Sequence, residues 1–195
     1  HTAVVGCRGA THTGPIGWFA RRVALAGHVS IWFANCSPLA APHGAVEPVL
    51  GTNPITFGLP RSPEPIVADM ATAATTFGDC KVAMAEGRSI PEGHALDSAG
   101  NPTVDPEEAL RGGCLRTFGE HKGYALSVAV QLLSSALCGG PAIPDPRTDY
   151  GLSAIALRRD ILVDPALYDR ITGVLADALK SARPEDPDRP VRLPG

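Results

Sequence analysis

The sequence predicts a mixed α/β domain around one hydrophobic core, and three observations carry that prediction. Hydrophobic residues fill 44% of 195 positions, enough apolar surface for one good-sized core. Short β-branched runs bounded by glycine or proline read as strands, while longer segments repeat apolar residues at helical spacing. No internal repeat interrupts this order, so residues 1–195 read as a single domain.

The run at 3–7 reads as a strand, and Thr2-Ala3-Val4-Val5 resembles the middle of a buried one with no lead-in. Because the first residue is His1 rather than Met, an N-terminal portion is expected to be missing. A glycine-rich loop follows, and Pro15 then presets a helical φ at a first-turn position. Trp18, Phe19, Val23 and Ala26 recur at helical spacing until Gly27, which predicts a helix capped at both ends. Residues 29–33 form a second buried strand, completing a strand-helix-strand unit of βαβ-like length. No Gly-x-Gly-x-x-Gly occupies its turn, so the Rossmann fingerprint is absent.

Proline and glycine recur through 37–65, with a short strand expected at 55–59 and another at 66–68. A short helix is expected over 79–86, and 87–113 reads as turns. The strongest helix runs from Lys122 to Cys138, with Leu126, Val130, Leu133 and Leu137 on one stripe and Gly139-Gly140 as the stop. A late strand covers 152–157. Pro165 opens a last helix with Leu167, Ile171, Leu175 and Leu179 on its apolar face, and 183–190 is expected to be irregular.

Charge and cysteine usage narrow the function classes. With 17 basic and 20 acidic residues the net charge is -3, and the arginines are scattered, so no nucleic-acid footprint exists and small-molecule ligands fit better. No run approaches the ~18 apolar residues of a membrane span, and no basic-apolar leader opens the chain. The expected location is the cytoplasm, away from membranes. Five cysteines at 7, 36, 80, 114 and 138, without a Cys-x-x-Cys pair, argue for reduced thiols. Asn35-Cys36-Ser37 formally matches a glycosylation acceptor, an idle signal without a secretory leader.

Several residues could carry chemistry. His12 stands in a loop between a strand and a helix, where scaffold-held catalytic groups are presented, and histidine both gives and takes a proton near neutrality. The plainer reading is a histidine bonded to loop carbonyls. Six histidines lack the i, i+4 spacing of a helical metal site, and no Gly-x-Ser-x-Gly elbow occurs, so neither a metal centre nor a serine hydrolase is expected. Gly51-Thr52-Asn53-Pro54 reads as a turn, and Asp69, closing a strand before small residues, reads locally as a helix N-cap. In Gly119-Glu120-His121-Lys122-Gly123 a cation lies between glycines where a helix begins, an arrangement suited to an anion.

Seven motifs occur in an order that resembles the malate/L-lactate dehydrogenase family, which is distinct from the Rossmann-type lactate and malate dehydrogenases. They are Ala10-Thr11-His12-Thr13-Gly14, Asn35-Cys36-Ser37-Pro38, Gly51-Thr52-Asn53-Pro54-Ile55, Asp69-Met70-Ala71-Thr72, Ile90-Pro91-Glu92-Gly93, the stretch 97–106, and 119–126. The resemblance covers essentially the whole chain. It implies a non-Rossmann fold with a mixed, largely antiparallel sheet flanked by helices. It also implies a homodimer and hydride transfer between NAD or NADP and C2 of a small 2-oxo or 2-hydroxy acid.

By the same resemblance His12 is the proton donor and acceptor, and Asp69, Met70, Ala71, Lys122, Pro194 and Gly195 hold the cofactor. Asn35 and Cys36 lie near the carboxylate substrate. The family also contains reductases of cyclic-imine carboxylates, the first alternative; a non-catalytic or incomplete homologue is the second. Serine is usual where Cys36 stands and glycine where Glu120 stands. The family's N-terminal Ser-His-Gly motif and its substrate-clamping arginine have no counterpart, and Arg8 is not assigned that role.

Overall fold

The computed structural model describes residues 1–145 and 148–195. In chain order, β1 (Thr2–Ala10), α1 (Ile16–Leu25), β2 (His28–Ala34), β3 (Ile55–Leu59) and β4 (Ile66–Met70) are followed by α2 (Phe77–Glu86), β5 (Ala95–Leu96) and β6 (Pro102–Thr103). Then come α3 (Pro106–Leu110), β7 (Cys114–Leu115), α4 (His121–Ser134), β8 (Tyr150–Arg158) and α5 (Pro165–Ser181). One sheet has the order β1-β8-β2-β3-β4, and a small one has the order β6-β5-β7. Every paired strand is antiparallel, so the expected mixed α/β fold with a largely antiparallel sheet is observed.

The unit formed by β1, α1 and β2 has βαβ length, yet its two strands are not neighbours. β8 lies between them and pairs with both. That placement corrects the reading of β1 as buried. As the sheet edge it pairs, among the described strands, with β8 alone, and Val4 and Val5 are 64% and 59% exposed. A continuous apolar run suggests burial on both faces, but composition cannot reveal which strand will stand at the sheet edge.

The period-2 alternation of β2 and β3 assigns the two central helices to opposite faces. On one face α1 packs Ile16, Ala20 and Ala24 over β2, β3 and β4. The stripe expected there was different: Trp18 is 54% and Phe19 38% exposed, because the small residues let the helix lie close to the sheet. Pro15 also gives no side-chain cap, so the expected N-terminal cap must come from elsewhere. On the other face Val130 of α4 joins Phe33 and Ile55, with Ile31, Phe57, Leu126, Leu133 and Ile155 around them.

A further cluster joins Ala40, Leu50, Ala73, Cys80, Ala83, Ile90, Ala95, Ala109 and Leu115 beneath α2, α3 and the small sheet. Tyr124 and Val128 of α4 pack against it, so α4 is common to both clusters. Thr76 and Asp79 form a capping box that starts α2 two residues before the expected position. The region read as turns, 87–113, contains β5, β6 and α3, each too short to carry a periodic signal.

α4 ends at Ser134 and a separate 3-10 turn spans Ala136–Cys138, so the expected single helix to Cys138 is two elements. Leu137 consequently leaves the stripe and is 65% exposed. Asp164 caps α5 by accepting the Ala166 N–H at 2.8 Å. The apolar face expected on α5 lies open, with Ile171, Leu175 and Leu179 exposed and Ala176 buried. All five cysteines are free thiols. Burial pushes the Cys80 and Cys114 thiols up, with Arg116 partly offsetting the effect at Cys114. Among the described residues no helix is long and apolar enough to cross a membrane.

Candidate functional site

The end of β4 and the residues that follow it are the hub of the site. Asp69 sits inside β4 rather than capping a helix of its own, and both oxygens of its carboxylate are engaged: Oδ1 accepts the Thr56 hydroxyl at 2.6 Å and Oδ2 accepts the Gly17 N–H at 2.8 Å. It therefore supplies from a distant strand the cap that Pro15 cannot give α1. A Cβ at 17 would lie 2.8 Å from Asp69 Oδ2, so a larger residue there would push the capping carboxylate aside. The loop bearing His12 ends in this anchored turn, and His12 itself is exposed.

Two residues beyond Met70, Thr72 binds two neighbouring segments. Its N–H donates to Thr52 O at 2.9 Å, its hydroxyl lies 3.0 Å from Asn53 O, and its carbonyl accepts the Phe118 N–H at 3.0 Å. The last of these bonds fixes the loop that opens α4. There the Lys122 N–H reaches Gly119 O at 3.1 Å, and Glu120 has φ 54 and ψ -120. Those are the dihedrals of the first central residue of a type II′ turn, a position dominated by glycine. A glutamate held there stores about 1–3 kcal/mol of strain. Lys122 follows in the first turn of α4, exposed.

Asn53 is the buried counterpart of this hub. At φ 39 and fully buried, its Nδ2 donates toward Ser127 O and Oγ at 3.1 Å and toward Gln131 Oε1 at 2.9 Å. Gln131 in turn donates to Ala142 O at 2.8 Å. Asn53→Ala removes these bonds inside a low-dielectric interior and leaves acceptors unpaired, so the expected loss is about 3 kcal/mol of stability in urea unfolding. A loss below about 1 kcal/mol would show that the network is dispensable.

Asn35 and Cys36 approach the hub from the end of β2. Asn35 is buried with its Oδ1 accepting the Gly151 N–H at 2.6 Å, while its Nδ2 has no partner among the described residues. Cys36 Sγ accepts the Thr52 N–H at 3.3 Å. Pro194 lies along β4, its carbonyl accepting the Val67 N–H at 3.1 Å, and Gly195 adjoins Val67. Hydrogen bonds thus gather Asn35 and Cys36, residues 69–72, the Lys122 turn and the 194–195 segment around β4, whereas His12 is joined to them through the anchored start of α1.

Sequence reading missed the central part of Thr72 and a cleft of about 620 Å³ beside the Lys122 turn. His43, His94, Arg116, Thr117, Phe118 and Glu120 are among its lining residues. They come from three loops, at His43, at His94 and at 116–120, with no shared spacing, and only Glu120 was conspicuous, as an acid at a glycine position.

The profile of the malate/L-lactate dehydrogenase family matches residues 1–195. L-sulfolactate dehydrogenase of Methanothermobacter thermautotrophicus is 38% identical over 187 residues, which cover 92% of this chain and 54% of that protein. A Δ1-pyrroline-2-carboxylate/Δ1-piperideine-2-carboxylate reductase of Pseudomonas syringae pathovar tomato is 44% identical over 139 residues, 71% of this chain and 40% of that protein. The solved Δ1-piperideine-2-carboxylate reductase from the same organism superposes with a TM-score of 0.86 at 36% identity, covering 100% of this chain and 59% of that one. The chain thus spans about half the length of the curated relatives it matches. With the antiparallel sheet, the ordered motifs and a profile match from end to end in agreement, the chain belongs to the malate/L-lactate dehydrogenase family.

Proposed function

We propose that this chain carries the nicotinamide-binding and proton-transfer half of an oxidoreductase acting at C2 of a small 2-oxo or 2-hydroxy acid. The observation that carries the reading is the convergence of two helix N-termini on one strand end. α1 and α4 both begin beside residues 69–72, the Asp69 carboxylate takes the Gly17 N–H of α1, and α4 has no acidic residue in its first turn and carries Lys122. This donor set fits a dinucleotide diphosphate, which prefers helix N-termini and a nearby cation. The bound nicotinamide would supply the hydride chemistry.

The chain's own residues would do the rest. Lys122 and the 119–123 turn would hold the phosphates; residues 69–71, Pro194 and Gly195 would line the cofactor. His12 would give a proton to the C2 oxygen of a 2-oxo acid, or take it from the hydroxyl in the reverse direction. Asn35 and Cys36 would face the substrate, with the free Asn35 Nδ2 as a donor for its oxygens. The open apolar rows of β1 and α5 support a homodimer, and the reduced thiols support a cytoplasmic setting.

A second reading is favoured by one observation, the 44% identity to a cyclic-imine carboxylate reductase. There His12 would deliver its proton toward the imine nitrogen. Following oxidation of reduced nicotinamide with pyruvate, oxaloacetate, sulfopyruvate and piperideine-2-carboxylate decides between the two. Turnover of the oxo acids is expected on the first reading. Turnover of the imine alone would replace it with the second, and no turnover with any of them alongside intact cofactor binding would support a non-catalytic homologue.

A further inference from the structure

The cleft of about 620 Å³ lies where the cofactor-lining segment continues. Beyond Ala71 the chain runs through Thr72 to Ala74, held to the loop opposite by Phe118 N–H to Thr72 O at 3.0 Å and Ala74 N–H to Arg116 O at 2.8 Å. Ala74, Arg116, Thr117 and Phe118 are cleft walls. From Asp69 to Ala74 an extended chain spans at most ~17 Å, on the scale of a stretched dinucleotide. A cofactor with its nicotinamide beside His12 and its diphosphate at the helix N-termini would therefore place its adenosine end in this cleft.

The Thr117 hydroxyl there is bonded to Glu120 O at 3.0 Å, but two other polar groups are unspent. Glu120 makes no side-chain cap, and among the described residues its carboxylate enters no ion pair. His94 Nδ1 is buried without a hydrogen-bond partner. A strained backbone retained for a side chain that bonds nothing within the fold points to a bond made outside it. Resting on the cofactor reading above, we infer that Glu120 makes this chain select NAD over NADP, accepting the adenosine ribose hydroxyls and repelling a 2′-phosphate.

Two charges in the cleft bear on the choice. A carboxylate is an acceptor only, so it suits a diol, while a 2′-phosphate brings nearly two negative charges against it. Arg116 is the opposing influence, since an arginine is the usual partner of a 2′-phosphate. Glu120 dominates because its place on the rigid turn before α4 holds it at the cleft. Arg116 is exposed, as Glu120 is, and enters no ion pair among the described residues, which leaves it to serve the diphosphate common to both cofactors.

The test titrates the full chain with NADH and with NADPH, following nicotinamide fluorescence, for the wild type and for Glu120→Gly, Glu120→Gln and Arg116→Ala. The wild type is expected to bind NADH at least tenfold more tightly than NADPH. Both Glu120 variants should bring the two affinities within about threefold, chiefly by tightening NADPH, and Arg116→Ala should weaken both cofactors alike. Thermal melting checks the fold, with Glu120→Gly expected to melt higher than the wild type as strain is relieved. Tighter NADPH binding by the wild type, or a preference that survives both Glu120 variants, overturns the inference while leaving the cofactor reading intact. Binding of neither dinucleotide overturns the cofactor reading and this inference with it.

Discussion

Gly123→Ala is expected to lower the melting temperature by roughly 4–8 °C, although alanine is the better helix former by about 1 kcal/mol. The reason is a collision. A Cβ at 123 would lie 2.0 Å from Phe118 O and 3.0 Å from Phe118 C and N, all backbone atoms that cannot rotate aside. Relief requires the turn at 118–120 to shift, and the Phe118 N–H bond to Thr72 O is what holds that turn to the strand end. Overpacking that moves backbone costs about 3 kcal/mol, which outweighs the gain in propensity. Because the same turn presents Lys122, cofactor affinity should fall together with stability. Thermal unfolding followed by circular dichroism checks the first effect, and an unchanged or higher melting temperature would mean that the turn has slack the close contact does not suggest.

The motif 119–126 was legible because its chemistry is local. A cation flanked by glycines at the start of an apolar period needs no knowledge of the rest of the chain. The place of His12 in a loop between a strand and a helix was legible for the same reason, and so were β2, β3 and α1. Asp69 was not: read locally it caps a helix after it, while in the fold it caps α1 from 52 residues away. No local pattern reports which donor a carboxylate will meet once β4 has paired with β3. The exposure of β1 was hidden likewise, since whether a strand is edge or centre depends on where β8 pairs at the far end of the chain. Strands of two residues, β5 to β7, carry no period to read. The glycine-to-glutamate departure at 120 was visible in sequence, and the positive φ gave it a physical meaning.

His12→Ala should reduce kcat/KM by roughly 10²–10⁴-fold while leaving cofactor affinity and melting temperature close to those of the wild type. Each part of that expectation has its own basis. The side chain is exposed and sits in a loop outside the core, so its removal costs little packing. The fold around it is held by other groups: Asp69 fixes the start of α1 through the Gly17 N–H, and the diphosphate contacts proposed above come from backbone and Lys122 rather than from an imidazole. What remains is the proton. Reducing a C2 carbonyl builds negative charge on its oxygen as hydride arrives, and a positioned general acid lowers that barrier by neutralising the charge as it forms. Losing the donor then slows the step in both directions by the same factor. His12→Gln keeps a hydrogen-bond donor of similar reach but no exchangeable acid, so it should recover substrate binding without recovering rate. Equal kcat values for the wild type and His12→Ala would assign the proton to another group; a drop in melting temperature matching the drop in rate would make His12 a structural residue instead.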